Sequence, residues 1–341
     1  MFPSRLDGTS YYRGAGPLNE LSFQERHDPR GTLTEINVVE KMGWSDITDS
    51  DLFFIQRPFR RCDLDMIRMA KGCGLPVWVD YDDDLLNVPH ENPCWETYSQ
   101  CGDVIRKCIE LSDCLTTSTA EIAGSLQPHL KDGFSKVIHN GWNTRMFPMV
   151  KKPRTEKGPV KILWRGSDTH IKDLFEVKDK IWELARQNPD WEWTFLGYRP
   201  FFLDGLPNSA FWPAMDVFTY LRFLQANRYD VCIVPLANSH FNHCKSNCSW
   251  MEAAFAGAVT VAPGFLNFDR PGVFRYSGAE DFKQRVITAV ASISRNGLSL
   301  TCNDHEAVVK SAQDHINAFL PLRETNSLRK GVIGRLLENR R

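Results

Sequence analysis

Short apolar runs alternate with segments of helical spacing along the first half of the chain. Buried strands are indicated at residues 51–56, 76–80, 114–119 and 136–141. Between them, the spacing of the apolar positions predicts helices at residues 63–72, 95–112 and 120–130. This alternation is typical of α/β layering around a parallel sheet.

The same alternation restarts after a polar stretch at residues 151–159, whose lysines and prolines are typical of an interdomain linker. The pattern beyond it predicts strands at residues 160–164, 191–197, 230–235 and 258–262, and helices at residues 173–187, 216–226 and 248–256. We therefore expect two α/β units, residues 1–150 and 151–326, that face each other across a cleft. Residues 327–341 are predicted to form a basic helix on the surface.

Length and composition agree with two ordinary globular domains. The chain has 341 residues, and single cores usually stop growing at about 250–300 residues. Its 42% hydrophobic and 24% charged residues exclude wholesale disorder and a collagen-like fold. No apolar run approaches the roughly 18–20 residues of a membrane-spanning helix, residues 1–7 lack the features of a signal peptide, and the ten cysteines do not indicate a disulfide framework. We expect a cytoplasmic protein without a membrane-spanning segment.

The formal net charge of −1 conceals a difference between the two halves. Residues 1–150 carry 15 basic and 22 acidic side chains, a formal charge of −7, whereas residues 151–341 carry 26 and 20, a charge of +6. The positive half therefore suits an anionic ligand. The surface of the negative half would repel nucleic acid, which makes nucleic acid a less favoured partner.

The densest chemical signal follows the predicted strand at residues 230–235. Its loop carries four polar residues, Asn242, Lys245, Ser246 and Asn247, and the next predicted helix contains Glu252 in its first turns. Ligands of open α/β sheets bind beyond the carboxyl ends of the strands, where helix N-termini offer free N–H groups and a partial positive charge. This loop is predicted to bind a diphosphate, with Lys245 adding a full charge and Glu252 accepting hydrogen bonds from a ribose diol.

A second loop is placed in the same way, after the predicted strand at residues 160–164. Gly166 allows close approach of the backbone, Ser167 offers a hydrogen-bond donor, and Arg165 supplies positive charge. The alternative for both segments is an ordinary loop followed by a helix cap. Two such loops in one predicted domain favour a nucleotide site.

Four segments resemble conserved parts of the GT-B glycosyltransferases, and most of all glycosyltransferase family 4 with its phage and bacterial relatives. Residues 241–262 are similar to the donor-binding motif of that family. Residues 162–170 resemble the first loop of its C-terminal domain, and residues 137–147 resemble the Asn-Gly segment that ends its N-terminal domain. Residues 11–18 resemble its glycine-rich acceptor-side loop.

The resemblance implies a fold and an activity. The fold would be GT-B, two Rossmann-like domains facing across a cleft, and the activity would be transfer of a sugar from a nucleotide-diphosphate sugar to an acceptor hydroxyl. Members of family 4 are mostly retaining and require no cofactor. The acceptor would be a glycan or a hydroxymethylated pyrimidine in phage DNA, since the relatives include enzymes of both kinds. A nucleotide-sugar binder without catalysis, or a sugar-phosphate epimerase with the same fold, is the alternative.

The resemblance also implies roles for individual residues. On the donor side, Glu252 would hold the ribose, and the diphosphate would lie against Lys245, Ser246 and the backbone of Gly166 and Ser167. Lys245 and Arg165 would stabilise the departing charge, and His139 or Asp80 would assist the reaction. The remaining residues fall into two groups, with Asn242 and Asn247 on the donor side and Tyr12, Arg13, Gly14, Gly16 and Asp82 on the acceptor side. The family often has a glutamate where this chain has Cys244, so the sugar contacts of that glutamate are not carried over.

The aspartates at residues 80–84 have three interpretations. A strand that ends in Asp-x-Asp is typical of metal-dependent GT-A glycosyltransferases, but that fold would leave the signals of the second half without a function. A structural loop with helix-capping aspartates is the second interpretation. We favour the third, an acceptor-side role in which Asp80 and Asp82 face the cleft and no metal is bound.

Two further groups of residues are given little functional weight by their patterns. His240, His243, Cys244 and Cys248 are zinc-ligand types, but their spacing matches no usual structural zinc site, so no metal site is expected there. The arginines at positions 57, 60 and 61 offer local positive charge for DNA, and a solvated loop is the alternative for them.

Overall fold

The computed structural model of the chain describes residues 7–27, 43–150, 158–292 and 303–338. The greater part of the predicted linker, residues 151–157, lies outside the described residues. Two parallel sheets organise the rest of the chain. We refer to residues 1–150 as the N-terminal half and to residues 151–341 as the C-terminal half.

The sheet of the N-terminal half has four strands in the order β1-β2-β3-β4, all parallel. The strands are β1 Phe53–Gln56, β2 Val77–Tyr81, β3 Cys114–Thr117 and β4 Phe134–Val137. The helices are α1 Gly8–Arg13, α2 Ala15–His27, α3 Trp44–Thr48, α4 Arg61–Gly72, α5 Trp95–Ser99, α6 Gly102–Glu110 and α7 Ala120–Leu126. Every residue of β1, β2 and β3 is buried, which explains why these strands are recognisable as continuous apolar runs.

The sheet of the C-terminal half has six parallel strands in the order β10-β9-β8-β5-β6-β7. The strands are β5 Val160–Gly166, β6 Trp191–Gly197, β7 Ser209–Pro213, β8 Val231–Ile233, β9 Val259–Pro263 and β10 Val273–Tyr276. The helices are α8 Ile171–Gln187, α9 Val217–Asn227, α10 His240–His243, α11 Cys248–Ala256, α12 Ala279–Ala291, α13 Asn303–Phe319 and α14 Leu322–Glu338. This strand order is that of the dinucleotide-binding α/β fold.

Several details differ from the sequence-based expectation. The single helix predicted at residues 95–112 is two helices, α5 and α6, because the chain breaks before Gly102, a poor helix former. The glycine-rich segment at residues 11–18 is helical on both sides of Gly14 and is not an open loop. Strands β7 and β10 were not predicted, since each has only one buried residue or none and gives no apolar run.

The final helix is not the solvated surface element that the sequence suggested. It begins at Leu322, earlier than predicted, and Val332 and Leu336 are buried against Leu18 and Trp78 of the N-terminal half. The two apolar positions are four residues apart and therefore lie on one face of the helix. The C-terminal end of the chain thus packs back onto the first sheet. Among the described residues, no helix combines the length and the apolar character needed to cross a membrane.

Candidate active site

A cleft of about 850 Å³ lies between the two sheets, beyond the carboxyl ends of their strands. This volume is in the range of ligand-binding clefts, about 300–1,000 Å³. Residues from both halves line it. Eight of the site residues named from the sequence are among them: Tyr12, Asp82, Arg165, Gly166, Ser167, Lys245, Ser246 and Glu252.

The cleft opens at the point where the strand order of the second sheet reverses. Strand β5 pairs with β6 on one side and with β8 on the other. Ligands of open α/β sheets bind at such a switch point. The loop after β5 and the loop after β8 therefore meet at one place, as the sequence analysis expected for the two polar segments that they carry.

Two glycines keep the end of β5 free of side chains. A Cβ atom at Gly166 would lie 2.7 Å from Cζ2 of Trp164 and 3.2 Å from the ring of His170. Gly197, at the end of the neighbouring strand, has φ +101°, and a Cβ atom there would collide with the carbonyl oxygen of Gly166. Ser167 follows directly and is exposed. Gly166 and Ser167 both line the cleft, and the close packing around Gly166 leaves no room there for a side chain.

Glu252, on α11, is the centre of the polar contacts in the cleft. Its Oε1 accepts a hydrogen bond from the Tyr12 hydroxyl at 3.0 Å, and its Oε2 accepts one from Tyr220 at 2.9 Å. Burial and the charge of Glu252 raise the pKa of both tyrosines, so both hydroxyls remain protonated donors. Because Tyr12 belongs to the N-terminal half, the contact also joins the two halves.

Arg165 completes the contacts of this carboxylate. Its Nη2 lies 2.7 Å from Oε2 of Glu252. Burial opposes the charge of the guanidinium, but Glu252 acts together with Tyr220, Cys248 and Cys232 to outweigh burial, so the pKa of Arg165 lies above its usual value. The side chain is 27% exposed, and its Nε has no hydrogen-bond partner among the described residues. Arg165 lines the cleft, and a partly exposed cation in that position suits an anionic ligand.

Lys245, in the loop after β8, contacts the N-terminal half across the cleft. Its Nζ donates to Oδ1 of Asp83 at 2.7 Å and lies 4.3 Å from the centre of the Phe241 ring. Burial favours the neutral acid, but Lys245 and Arg57 outweigh it and lower the pKa of Asp83 to about 2. The ion pair across the cleft is therefore formed at neutral pH.

The aspartates after β2 are clamped by an arginine that follows β1. Arg57 has φ +50°, an unusual conformation for a residue with a side chain, and its guanidinium contacts the carboxylates of Asp82 and Asp83. Burial raises the pKa of Asp82 in spite of this arginine. The neighbouring Arg60 pairs with Asp63 at 2.8 Å. Two of the three arginines considered for DNA contact thus have carboxylate partners within the chain.

Asp80 and Arg13, expected near the reaction, form a sealed pair instead. Arg13 Nη2 lies 2.6 Å from Oδ1 of Asp80, and its Nε donates to Oδ2 at 3.1 Å. Thr116 donates a further hydrogen bond to Oδ1 at 2.6 Å. Both side chains are almost fully buried, and neither lines the cleft. The structure places this pair beneath the cleft, where it joins α1 to β2.

The two glycines of the N-terminal segment support this packing. A Cβ atom at Gly14 would lie 2.6 Å from Oε1 of Gln56, and one at Gly16 would collide with the carbonyl oxygen of Tyr11. Both glycines therefore allow α1 and α2 to lie close to the first sheet and to each other. They bring Tyr12 to the cleft without lining it themselves.

Three further residues named from the sequence lie near the cleft but not in its lining. Asn242 is buried and donates to Oδ1 of Asp173 at 2.7 Å and to a backbone carbonyl, so it shapes the loop from inside. Asn247 is buried at the start of α11. His139 is exposed, and its Nδ1 lies 3.0 Å from the carbonyl oxygen of Ser118.

Several lining residues were not found by sequence reasoning. Tyr220 is one turn into α9, where it has the appearance of an ordinary core aromatic. Asp83 and Asn140 reach the cleft from the N-terminal half, and Asn140 Nδ2 donates to Oγ of Ser246 at 3.0 Å. Asn140 lies three residues after the end of β4, within the segment that resembles the Asn-Gly segment of family 4, and both features were available as signals.

Solved structures with the same fold are glycosyltransferases. HepE from Anabaena, in complex with UDP, has a TM-score of 0.62 at 11% identity, with 98% of each chain covered. An alpha-glucosyltransferase in complex with UDP and DNA containing an HMU base has a TM-score of 0.59 at 9% identity, covering 84% of this chain and 81% of that one. Sucrose-phosphate synthase from Thermosynechococcus elongatus has a TM-score of 0.58 at 13% identity, covering 85% and 74%.

At these identities the likeness shows the fold alone. The expected GT-B arrangement, two Rossmann-like units around a cleft, is confirmed. Membership of family 4 stays a prediction. No protein-family model matches the chain, and no curated protein matches it.

Proposed function

We propose that this protein is a glycosyltransferase that moves a sugar from a nucleotide-diphosphate sugar to an acceptor hydroxyl. The observation that carries the proposal is the meeting of three elements at one switch point: the backbone at Gly166 and Ser167, the Lys245–Ser246 segment, and Glu252 at the start of α11. Such a place offers N–H groups, positive charge and a ribose acceptor together.

The donor would lie with its ribose near Glu252 and its diphosphate between Arg165 and Lys245. Both side chains line the cleft and are partly exposed, Arg165 by 27% and Lys245 by 20%. To contact a phosphate, Lys245 has to exchange its Asp83 partner for the ligand. A ribose hydroxyl has to share or replace the hydrogen bond that Tyr12 donates to Glu252.

Catalysis would consist mainly of stabilising the diphosphate as it leaves. When the bond between the sugar carbon and the diphosphate oxygen breaks, negative charge grows on that oxygen, and Lys245, Arg165 and the N-terminus of α11 are the positive groups beside it. The acceptor hydroxyl bonds to the same carbon and gives its proton to the departing diphosphate oxygen. By resemblance to family 4 we propose retention of configuration, and no protein base or metal is needed for this scheme.

For the acceptor we propose a glycan first and a hydroxymethylated pyrimidine in DNA second. The N-terminal half, which would face the acceptor, has a formal charge of −7, and Arg57 and Arg60 are already paired with aspartates. Both features favour a neutral acceptor over a polyanion. The second candidate has the support of the neighbour whose structure contains DNA with an HMU base.

The test is a donor screen that measures release of free nucleoside diphosphate, run with oligosaccharide acceptors and with hydroxymethylated DNA. The expected result is release that depends on one acceptor class, and a product whose anomeric configuration by NMR equals that of the donor. Tight binding of the nucleotide without release would support the binder instead. Conversion of the sugar without any acceptor would support an epimerase.

A further inference from the structure

Three side chains from the two halves of the chain meet beside the cleft, outside its lining. Asp84 comes from the loop after β2, and His240 and Cys244 come from the start and the end of α10. His240 Nε2 lies 3.1 Å from Oδ2 of Asp84 and 3.7 Å from Sγ of Cys244. All three ligand atoms lie within 4.8 Å of one another.

These distances are close to those between ligands of one small metal ion. In a tetrahedral zinc site the bonds are about 2.0–2.2 Å to nitrogen and oxygen and about 2.3 Å to sulfur, which separates the ligand atoms by about 3.3–3.6 Å. The measured distances of 3.1 Å and 3.7 Å lie on either side of this range. Carboxylate, imidazole and thiolate are the three ligand types that proteins offer to zinc.

The second observation concerns the carboxylate of Asp84, which is fully buried. Its Oδ2 accepts a hydrogen bond from Asn87 Nδ2 at 2.9 Å and lies beside His240. Its Oδ1 has no hydrogen-bond partner among the described residues. A buried carboxylate oxygen without a partner is costly, and a bound cation is one of the few groups that compensates it.

We propose that Asp84, His240 and Cys244 bind a divalent transition-metal ion of the zinc class. The His240 side chain is 59% exposed, so the ion has a path from solvent and water can complete its coordination. The ion would replace the contacts that His240 Nε2 now makes with Asp84 and with the hydroxyl of Ser125.

Such an ion would tie the two walls of the cleft together. The residues next to its ligands, Asp83 and Lys245, form the ion pair that crosses the cleft. By joining Asp84 of the N-terminal half to His240 and Cys244 of the C-terminal half, the ion would fix the distance between the two walls. Its role would therefore be structural, and it would not contact the reacting atoms.

Metal binding has to remove a proton from Cys244. Burial, together with the charges of Asp84, Glu121 and Asp83, raises the pKa of this thiol to about 12, with Lys245 opposing them. On binding, a metal–sulfur bond forms, the S–H bond breaks, and the proton is released to solvent, because the ligand is the thiolate. The positive ion supplies the charge that reverses the present preference for the thiol.

The test uses the full chain, freed of metal by a chelator and dialysed, and titrated with zinc sulfate by calorimetry in the absence of nucleotide. We expect one ion per chain and release of about one proton from the thiol, measured from the heats in two buffers of different ionisation enthalpy. Cobalt(II) should give a thiolate-to-metal absorption band. His240→Ala and Cys244→Ser should weaken binding by more than about 100-fold, since loss of an outer partner already costs about 10–100-fold.

The matched control is His243→Ala. This neighbouring histidine contacts Asn238 and the Phe265 ring and lies away from Asp84, so its loss should leave zinc affinity and the cobalt band unchanged. His240 is mostly exposed and its alanine variant should fold, which circular dichroism checks, even if Cys244→Ser does not. A folded wild-type chain that binds no zinc, or one whose binding is the same in His240→Ala, would overturn the proposal. Nucleotide affinity, measured separately, tests the proposed transferase independently.

Discussion

Two arginine–carboxylate pairs in this molecule use the same chemistry in different surroundings. Arg13 and Asp80 lie at 1% and 2% exposure within the N-terminal half, whereas Arg165 and Glu252 lie at 27% and 6% at the edge of the cleft. In each pair a guanidinium nitrogen lies 2.6–2.7 Å from a carboxylate oxygen. What separates them is whether any donor or acceptor is left for a ligand.

The first pair has its hydrogen-bonding groups directed to the protein. Arg13 contacts Asp80 through two nitrogens and also reaches Asn140, and Thr116 completes the carboxylate. Arg165 lines the cleft and is partly exposed, and Glu252 is held by two tyrosine hydroxyls that a ribose could replace. We infer from this comparison that the sealed pair serves folding and that the open pair is available to a ligand, and the first two predictions below test that division.

The largest expected effect comes from Asp80→Asn. Loss of the Asp80 charge leaves Arg13 as a buried cation without a carboxylate. Arg329 loses the same compensating charge; burial and the charge of Arg13 already lower its pKa to about 9. Breaking a buried pair costs about 3–5 kcal/mol, so the free energy of unfolding in urea should fall by that amount. The exposed Asp65→Asn is the control, with less than about 1 kcal/mol expected. A loss no larger than in the control would refute the structural role.

Glu252→Gln should affect nucleotide affinity more than the free energy of unfolding. The nucleoside diphosphate would lose a charged acceptor worth about 1.5–3 kcal/mol, which corresponds to about 10–100-fold in affinity by calorimetry. The free energy of unfolding should fall by less than in Asp80→Asn. Glu183→Gln, on the surface of α8, is the control and should leave affinity unchanged. Donor affinity equal to that of the wild type would count against the proposed ribose contact.

A smaller effect is expected from Asp83→Asn, which removes the partner of Lys245. Each side chain of the ion pair is about 20% exposed, so solvent still screens the pair in part, and we assign it about 1 kcal/mol, the upper end of the range for exposed pairs. Freed from it, Lys245 should bind a diphosphate up to about fivefold more tightly. In a Lys245→Gln background the same change should have no such effect. A weaker affinity in the single variant would show that Asp83 helps the ligand rather than competing with it.

The smallest expected effect is a change in how the thermal midpoint depends on pH in the acid range. The pKa of Asp83 is lowered to about 2, below the roughly 3.9 of an unfolded aspartate. The contribution of Asp83 to the free energy of unfolding is therefore complete above about pH 4 and is lost as the pH falls towards 2. Asp82, whose pKa burial raises, contributes with the opposite sign. Thermal midpoints between pH 2.5 and 5 should vary less with pH in Asp83→Asn than in the wild type and more in Asp82→Asn; the reverse order would contradict both assignments.

Much of the C-terminal half of the site could be predicted from the sequence. Gly166, Ser167, Lys245 and Glu252 each follow a strand that is visible as an apolar run, and parallel strands bring their carboxyl ends to one edge. Chain order alone therefore placed them together. Weak strands such as β7 and β10, with little buried surface, gave no comparable signal.

The N-terminal half was harder to interpret, because four aspartates that lie close together in the sequence differ in burial and in partner. Asp80, Asp82, Asp83 and Asp84 lie within five residues, yet one is sealed under Arg13, two are clamped by Arg57, and one meets His240. A period-two pattern assigns faces of a strand. It cannot say which distant side chain occupies the space opposite each face.

By itself, the sequence determined the alternation of strands and helices, the division into two α/β units around a cleft, and the loops suited to a nucleotide, since these depend on local periodicity and chain order. Only the tertiary structure decided which carboxylates are sealed and which are open, that α14 returns to the first sheet, and that Asp84 meets His240 and Cys244. Those features depend on packing between residues as much as 309 positions apart, and the energy of a charged group is set by the neighbours and the solvent that this packing leaves around it.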